Sequence, residues 1–282
     1  MHGIIFVKLQ DAIHYMNRIS FKRRTGRAAV WSATALALMT SGMRPSASAD
    51  ISVFTSAAPA EVEKNLAAKF TETTGNRVRF TVGTVKEIQD RLSGLEKPDL
   101  VVLPAAALDA LNNAAGVRAG SRIELARVGI GIVVREGAPL PDISNADALR
   151  KTLLAARSIA HPDPLGGGFA GVQITRMFAR LGIADALRPK VTLAYAFTGG
   201  VAQIASGDAE IGLFNISEIL PVKGVTLVGP LTPELQSYIT FSGALHAATA
   251  APEPAMSFLR WLSDPKTHDV WRTGGFELLG GG

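Results

Sequence analysis

Residues 51–70 read ISVFTSAAPAEVEKNLAAKF, and this stretch decides the fold class. Its first five residues form a short, mainly apolar run, which is typical of a buried strand. Pro59 stands in the first turn of a helix, where proline is tolerated, and apolar residues then recur at helical spacing up to Phe70. The stretch therefore predicts a strand followed directly by a helix, which begins a parallel β-α-β unit.

The same alternation of strand and helix continues along the chain. Before residue 120 it predicts strands at 78–82 and 100–103 and helices at 85–92 and 105–115. One long β-rich run at 123–135 breaks this rhythm. Beyond it, the predicted helices are 145–155, 171–181 and 200–205, and the predicted strands are 158–160, 191–196, 211–214 and 225–228. A strand at 238–242 and helices at 254–262 and 265–272 complete the prediction.

Two α/β halves joined by a β crossover predict a hinged protein of two lobes, each a parallel-rich sheet with flanking helices. The expected order is a first lobe over 50–126, a second lobe over 127–229 and a return to the first lobe over 230–282. The chain has 282 residues, of which 47% are hydrophobic, enough to bury a sizeable core. It has no cysteine, which excludes a disulfide scaffold and a cysteine nucleophile.

Residues 1–49 have the order of segments that is typical of an export signal. A basic region precedes an apolar stretch at 28–40, and a small-residue site, Ala47-Ser48-Ala49, follows. The basic region consists of Lys22, Arg23, Arg24 and Arg27. This order predicts cleavage after Ala49 and a periplasmic protein. A membrane anchor is the alternative, but about 13 apolar residues are too few to span a bilayer.

The net charge of +5 comes from this N-terminal segment. Residues 50–282 hold 22 Lys and Arg against 23 Asp and Glu, so the predicted folded part is close to neutral. A nucleic-acid-binding domain usually carries its positive charge on the folded part. We therefore expect no nucleic-acid partner.

Four predicted loops follow strands and are rich in small, hydroxylated or glycine residues: 55–58, 83–85, 161–169 and 197–200. In open α/β sheets, ligands bind beyond the carboxyl ends of the strands. Each loop also precedes a helix, whose N-terminus offers free N–H groups and a partial positive charge. Ordinary capping and turn formation would explain any one loop. Convergence of the loops in one crevice would favour an anion site built from neutral donors.

The chain lacks the common hydrolase, phosphate-loop and zinc-protease motifs Gly-x-Ser-x-Gly, Gly-x-x-x-x-Gly-Lys-[Ser/Thr] and His-Glu-x-x-His. Beyond residue 49 its histidines are His161, His246 and His268, and they lack the spacing of metal ligands. No metal or cofactor is therefore expected. His161 lies at a strand end beside the glycine-rich loop, so it is a candidate ligand contact.

Several stretches of the chain resemble the molybdate-binding-protein-like family of periplasmic solute-binding proteins, which have the type II two-lobed fold. The stretches are VFTSA at 53–57, KPDLVV at 97–102, ASGDAEIG at 205–212 and the tail from Phe258 to Phe276. The resemblance implies that the lobes close on a small anion, either an oxyanion or an organic carboxylate. It also implies a monomer that delivers this anion to an ABC transporter permease in the inner membrane.

The resemblance also implies ligand-binding residues, and most of them lie in the four loops. They are Ser56, Ala57, Gly83, Thr84, Val85, His161, Gly168, Phe169, Thr198, Gly199, Gly200 and Asn215. Two positions depart from the pattern of molybdate binders. Ala57 stands where those proteins have a hydroxyl residue, and Asn215 stands where they often have tyrosine. These departures argue against molybdate itself as the ligand.

A narrower resemblance is to the branch of this family that includes aconitate isomerase. It is carried by SRIEL at 121–125, GAPLPDIS at 137–144 and ISEI at 216–219. It implies, as the alternative, an enzyme that moves a proton along an unsaturated tricarboxylate. The catalytic residues are unknown, but the candidate bases are His161, Tyr195 and Glu218. The candidate cations for the substrate carboxylates are Lys86, Arg127 and Arg176.

The crevice itself would distinguish these two functions. An inward-facing lysine or arginine together with a base would favour the isomerase. Neutral donors alone would favour a binding protein for an inorganic oxyanion.

Overall fold

The structure, a computed structural model, describes residues 48–114, 116–194 and 200–279, and their strands form two sheets. The first sheet consists of β1 (Asp50–Ser56), β2 (Arg77–Gly83), β3 (Leu100–Pro104), β4 (Ile123–Val128), β10 (Ile239–Leu245) and β11 (Phe276–Leu278). The second sheet consists of β5 (Ile130–Arg135), β6 (Ile159–Pro162), β7 (Val191–Ala194), β8 (Ile211–Asn215) and β9 (Val225–Pro230).

Helices flank both sheets. They are α1 (Ala57–Thr74), α2 (Val85–Ser93), α3 (Ala105–Asn113), α4 (Ala146–Ala155), α5 (Phe169–Arg180), α6 (Ala184–Leu187), α7 (Ala202–Ser206), α8 (Ile216–Ile219), α9 (Pro252–Leu262) and α10 (His268–Thr273). Two short 3₁₀ turns, Arg188–Lys190 and Pro265–Thr267, precede β7 and α10.

The first sheet has the strand order β11-β4-β10-β3-β1-β2. Strand β1 runs parallel to β2 and β3, whereas β10 runs antiparallel to β3 and β4. Ile51 and Val53 of β1 are fully buried, in one apolar cluster with Leu66 and Phe70 of α1. The apolar strand and the apolar face of the helix predicted from residues 51–70 therefore form part of one core.

The second sheet has the strand order β7-β6-β8-β5-β9. Strand β6 runs parallel to β7 and β8, and β5 runs antiparallel to β8 and β9. Ile159, Leu213, Leu149 and Ile174 belong to its buried core. The predicted fold class is confirmed, because each half is a mixed α/β sheet covered by helices.

The chain passes from the first sheet to the second at Gly129, which separates β4 from β5. The predicted β-rich run at 123–135 is thus two strands in two different sheets. Ile130 N donates to Gln236 Oε1 at 2.8 Å, and Gln236 Nε2 donates to Ile130 O at 3.0 Å. A Cβ atom at Gly129 would lie 2.8 Å from Gln236 Nε2, so glycine permits this close approach.

Gln236 lies on the return connection, between β9 and β10. One side chain therefore holds both crossovers together. The lobe boundaries predicted at 126/127 and 229/230 stay a prediction.

The predicted export signal lies outside the described residues, apart from Ser48 and Ala49. Within the described ranges, no helix combines the length and the apolar character that a membrane span requires.

One carboxyl group is buried in the core of the first half. Glu63 of α1 is fully buried, and neither of its carboxyl oxygens has a hydrogen-bond partner among the described residues. Burial raises the pKa of Glu63 from 4.5 to about 8, because the charged form loses its hydration. The side chain is therefore protonated in the folded protein at neutral pH.

We expect Glu63→Gln to change how stability depends on pH. Between pH 4.5 and pH 8 the folded chain keeps the proton of Glu63 and the unfolded chain loses it, so stability falls as the pH rises. From pH 5 to pH 8, the free energy of unfolding of the wild type should fall by about 3 kcal/mol more than that of the variant. Urea unfolding across this range measures the difference.

Glu72→Gln is the matched control, because Glu72 lies on the same helix but is exposed. Parallel pH profiles for the wild type and Glu63→Gln would contradict the expected burial of a protonated carboxyl group.

Candidate functional site

A small cavity lies between the two sheets, where the carboxyl ends of their parallel strands meet. It is lined by Ser56, Ala57, Ala58, Gly83, Thr84, Val85, Pro104, Pro162, Gly167, Gly168, Phe169, Ala170, Asn215, Glu218, Ile239 and Phe241. The volume that the centre of a water molecule can occupy in this cavity is about 40 Å³. A single water needs roughly 10–15 Å³ on this measure, so the cavity has room for a compact ion or a few waters.

In the part of the chain that the structure describes, three helices of nine or more residues have their first residue in the lining of this cavity: α1 with 18 residues, α2 with 9 and α5 with 12. The first N–H groups of a helix have no partner within it, and they carry about half a positive charge in total. At α1 these free groups belong to Ala57 and Ala58, because Pro59 has no N–H. The cavity therefore receives main-chain donors from both halves of the molecule.

Two hydroxyl side chains line the wall that the first sheet provides. Ser56 is 6% exposed, and its Oγ has no hydrogen-bond partner among the described residues. Thr84 Oγ1 accepts from Glu87 N at 3.1 Å, and Glu87 Oε2 accepts from Thr84 N at 2.7 Å. This capping box leaves the hydroxyl hydrogen of Thr84, and the N–H groups of Val85 and Lys86, without a partner inside the helix.

Glycines bring the opposite wall close to the first. Gly168 is the N-cap of α5, and a Cβ atom at Gly171 would overlap the carbonyl oxygen of Pro162. Gly167 has a φ of +85°, and a Cβ atom there would lie 2.7 Å from Lys86 Cβ. The glycine-rich loop of the second half therefore contacts the start of α2 in the first half.

An amide and a carboxyl group complete the second wall. Asn215 ends β8, and Glu218 lies three residues later on α8. Asn215 Nδ2 donates to Glu218 Oε2 at 3.0 Å, and Asn215 N donates to the same oxygen at 3.3 Å. Asn215 Oδ1 faces the main-chain N of Glu218 in the arrangement of a capping box, but it makes no hydrogen bond of normal geometry among the described residues.

The ionisation of Glu218 is shifted toward neutral pH. Burial raises the pKa of this carboxyl group from 4.5 to about 7, and the two hydrogen bonds from Asn215 partly oppose the shift. Near pH 7 the group is thus divided between its acid and its carboxylate form. Such a group can serve as a proton donor, a proton acceptor or a hydrogen-bond acceptor.

Among the described residues that line the cavity, none is a lysine or an arginine. Lys86 pairs with Asp90 at 2.6 Å, and Arg176 is exposed. Arg127 pairs with Glu277 at 2.7 Å, and its guanidinium carbon lies 4.2 Å from the ring centroid of Tyr238. The three candidate cations named from the sequence are therefore engaged elsewhere or face solvent.

Most residues predicted as ligand contacts do line the cavity. These are Ser56, Ala57, Gly83, Thr84, Val85, Gly168, Phe169 and Asn215, joined by the candidate base Glu218. Tyr195, Thr198 and Gly199 lie outside the described residues. The binding role of each residue stays a prediction.

His161 and Gly200 do not line the cavity. His161 is 3% exposed on β6, and its Nδ1 lies 2.9 Å from the carbonyl oxygen of Pro162, to which it can donate. Its ring packs edge-on against Phe178 at 5.6 Å, and burial lowers its pKa. Gly200 packs beside Ala194 and Phe214. Both residues therefore belong to the packing of the second sheet.

Ala58, Pro162 and Gly167 also line the cavity, and they lie in two of the loops predicted from the sequence. The lining residues that sequence reasoning missed are Pro104, Ala170, Ile239 and Phe241. Pro104 follows the third strand, so the strand-end rule that identified the loops could have found it. Ile239 and Phe241 begin β10, and Phe241 pairs with Pro104. Their presence depends on antiparallel pairing between distant segments, which no local pattern encodes.

Within the described ranges, no group of three or more His, Asp or Glu residues is arranged to hold a metal ion.

Comparisons with known proteins agree with this architecture. Residues 51–277 match the family described as bacterial extracellular solute-binding protein. An aconitate isomerase from Pseudomonas sp is 34% identical over 181 residues, which are 64% of this chain and 67% of that protein. The molybdate-binding protein ModA from Rhodobacter capsulatus is 24% identical over 246 residues, which are 86% of this chain and 94% of that protein.

The solved structures include a close match in fold. The periplasmic molybdate-binding protein of Azotobacter vinelandii superimposes with a TM-score of 0.70 at 20% sequence identity, covering 81% of this chain and 99% of that one. The chain is thus a solute-binding protein of the molybdate-binding type in its fold.

We expect the capping box at the cavity to contribute to stability. Thr84→Ala removes the side-chain acceptor for Glu87 N and should lower the free energy of unfolding by about 1 kcal/mol. Thr84→Ser keeps that acceptor and should stay close to the wild type. Urea unfolding of the two variants measures the difference, and an equal loss in both would contradict a capping role for the hydroxyl group.

Proposed function

Because the chain belongs to the bacterial extracellular solute-binding protein family, we propose that it is the binding component of an ABC importer for a small anion. The observation that carries this proposal is the convergence of the N-termini of α1, α2 and α5 on one small cavity. Helix N-termini that meet in this way favour the binding of a negatively charged group, because their free N–H groups are gathered around one small volume.

Two further features support an anion. Ser56 Oγ is a buried hydroxyl without a hydrogen-bond partner among the described residues, and Thr84 keeps its hydroxyl hydrogen available. A buried polar group without a partner costs free energy, so both groups are suited to a bound oxygen atom. The size of the cavity suits a compact oxyanion better than an extended organic acid.

We propose that the protein works in the periplasm after cleavage behind Ala49. The name of its family and the periplasmic relative of the same fold support this location. Its partner would then be a permease of the inner membrane, and the protein would act as a monomer that carries the anion to it.

We expect an anion to stabilise the protein purified from the periplasm of an expressing bacterium. The panel is phosphate, sulfate, molybdate, citrate and trans-aconitate. A ligand at about 100 times its Kd should raise the free energy of unfolding by about 2.7 kcal/mol, which thermal unfolding detects. Ser56→Ala should weaken the affinity for that ligand roughly tenfold or more, because it removes a hydrogen bond to a charged group.

Ser93→Ala, at an exposed serine, is the matched control and should bind as the wild type does. The absence of a thermal shift with every anion of the panel would overturn the proposed function.

A second candidate function is isomerisation of an unsaturated tricarboxylate. The aconitate isomerase from Pseudomonas sp, at 34% identity, favours it, and Glu218 offers a base with a pKa of about 7 in the cavity. A general base near neutral pKa is what proton transfer requires. Against it stands the lack of a lysine or arginine among the described lining residues, since three carboxylates call for cations.

For this candidate we expect the wild type to convert trans-aconitate to cis-aconitate. Glu218→Gln should then lower the rate by about 100-fold or more, because the amide cannot accept the proton. Proton NMR of the reaction mixture measures both isomers, and Glu136→Gln, at an exposed glutamate, is the control. Unchanged trans-aconitate with the wild type would exclude this function.

A further inference from the structure

The cavity contains hydrogen-bond acceptors as well as donors. Glu218 and Asn215 form one wall, and Asn215 is only 5% exposed. A fully ionised anion has only acceptor oxygens. Its oxygens can pair with Ser56, Thr84 and the main-chain N–H groups, but they cannot donate to the carboxylate form of Glu218, which is its main form above pH 7.

The orientation of the Asn215 amide is fixed by its neighbour. Nδ2 and the main-chain N of Asn215 both donate to Glu218 Oε2. Rotating the amide by 180° would place Oδ1 against that carboxyl oxygen and would lose one of these bonds. Asn215 Oδ1 is therefore turned toward the main-chain N of Glu218, as in a capping box, although it makes no hydrogen bond of normal geometry among the described residues.

The acceptor available to a ligand on this wall belongs to Glu218. Both hydrogen bonds that Glu218 accepts from Asn215 end at Oε2, and Oε1 has no donor among the described residues. An unpaired carboxylate beside a bound anion would weaken binding for two reasons. The carboxylate would lose its hydration, and the two negative charges would repel each other. A ligand that supplies a hydrogen to this wall removes both costs.

We infer that the ligand of the proposed binding function is a compact oxyanion that keeps a hydrogen on one of its oxygens, and that Glu218 accepts this hydrogen. Hydrogen phosphate belongs to this class. Sulfate and molybdate have a similar tetrahedral shape but carry no hydrogen at neutral pH. Glu218 is thus a specificity-determining residue, and the inference rests on the proposed function.

The phosphate and sulfate ions provide a matched pair of probes. At pH 8 Glu218 is mainly ionised in the free protein, because its pKa is about 7, and phosphate is mainly its singly protonated dianion. We expect inorganic phosphate to bind about 100-fold or more tightly than sulfate in isothermal titration calorimetry. A site that hydrogen-bonds a hydroxyl group of its ligand rejects an analogue without that group by at least this factor.

Glu218→Gln tests the assigned residue. An amide can donate as well as accept, so it can pair with an oxygen that lacks a hydrogen. We expect phosphate affinity to fall, sulfate affinity to rise and the ratio of the two to approach one. Glu136→Gln, at an exposed site, should keep the ratio of the wild type. Thermal unfolding of each variant without ligand checks that it is folded.

The possible failures are distinguishable. Equal affinities for phosphate and sulfate in the wild type, or an unchanged ratio in a folded Glu218→Gln variant, would overturn the inference and leave anion binding intact. If neither these ions nor any other anion of the panel binds to the wild type, the proposed function fails and the inference fails with it.

Discussion

The side-chain amide of Gln236 holds the main chain of Ile130 through two hydrogen bonds, at the point where the chain leaves the first sheet for the second. The remaining architecture depends on this contact, because it joins the outgoing crossover to the return crossover. Gly129, next to it, also accepts from Ile216 N at 3.0 Å, which fixes the start of α8 at the same point. Through α8, the crossovers position Asn215 and Glu218 opposite the strand ends of the first sheet.

The chemistry of the cavity follows from this arrangement. Parallel strands place their carboxyl ends, and the helices that follow them, at one edge of a sheet. Two such edges that face each other bring the N-termini of three helices to one small volume, so positive potential arises without cationic side chains. Glu218 opposes that potential locally. The site therefore attracts an anion as a whole, while the carboxylate of Glu218 favours an anion that can donate a hydrogen bond to it.

Much of the fold could be predicted from the sequence, since apolar strands and helix periodicity are local patterns. The strand predicted at 51–55 is β1, extended by one residue at each end. The three-residue strand β11 was missed, because so short an edge strand has no periodicity of its own. Within the site, Ser56 and Thr84 follow from their place at strand ends. Ile239 and Phe241 could not be predicted, because only antiparallel pairing brings β10 beside β3.

Glu63 couples the folding of this chain to its solvent. The unfolded chain ionises this carboxyl group at pH 7 and the folded chain largely does not, so unfolding releases about one proton from Glu63 to the buffer. The heat of that transfer depends on which buffer takes up the proton. A calorimetric enthalpy of unfolding measured in Tris will therefore differ from one measured in PIPES by the difference in the ionisation enthalpies of the two buffers, multiplied by the number of protons released.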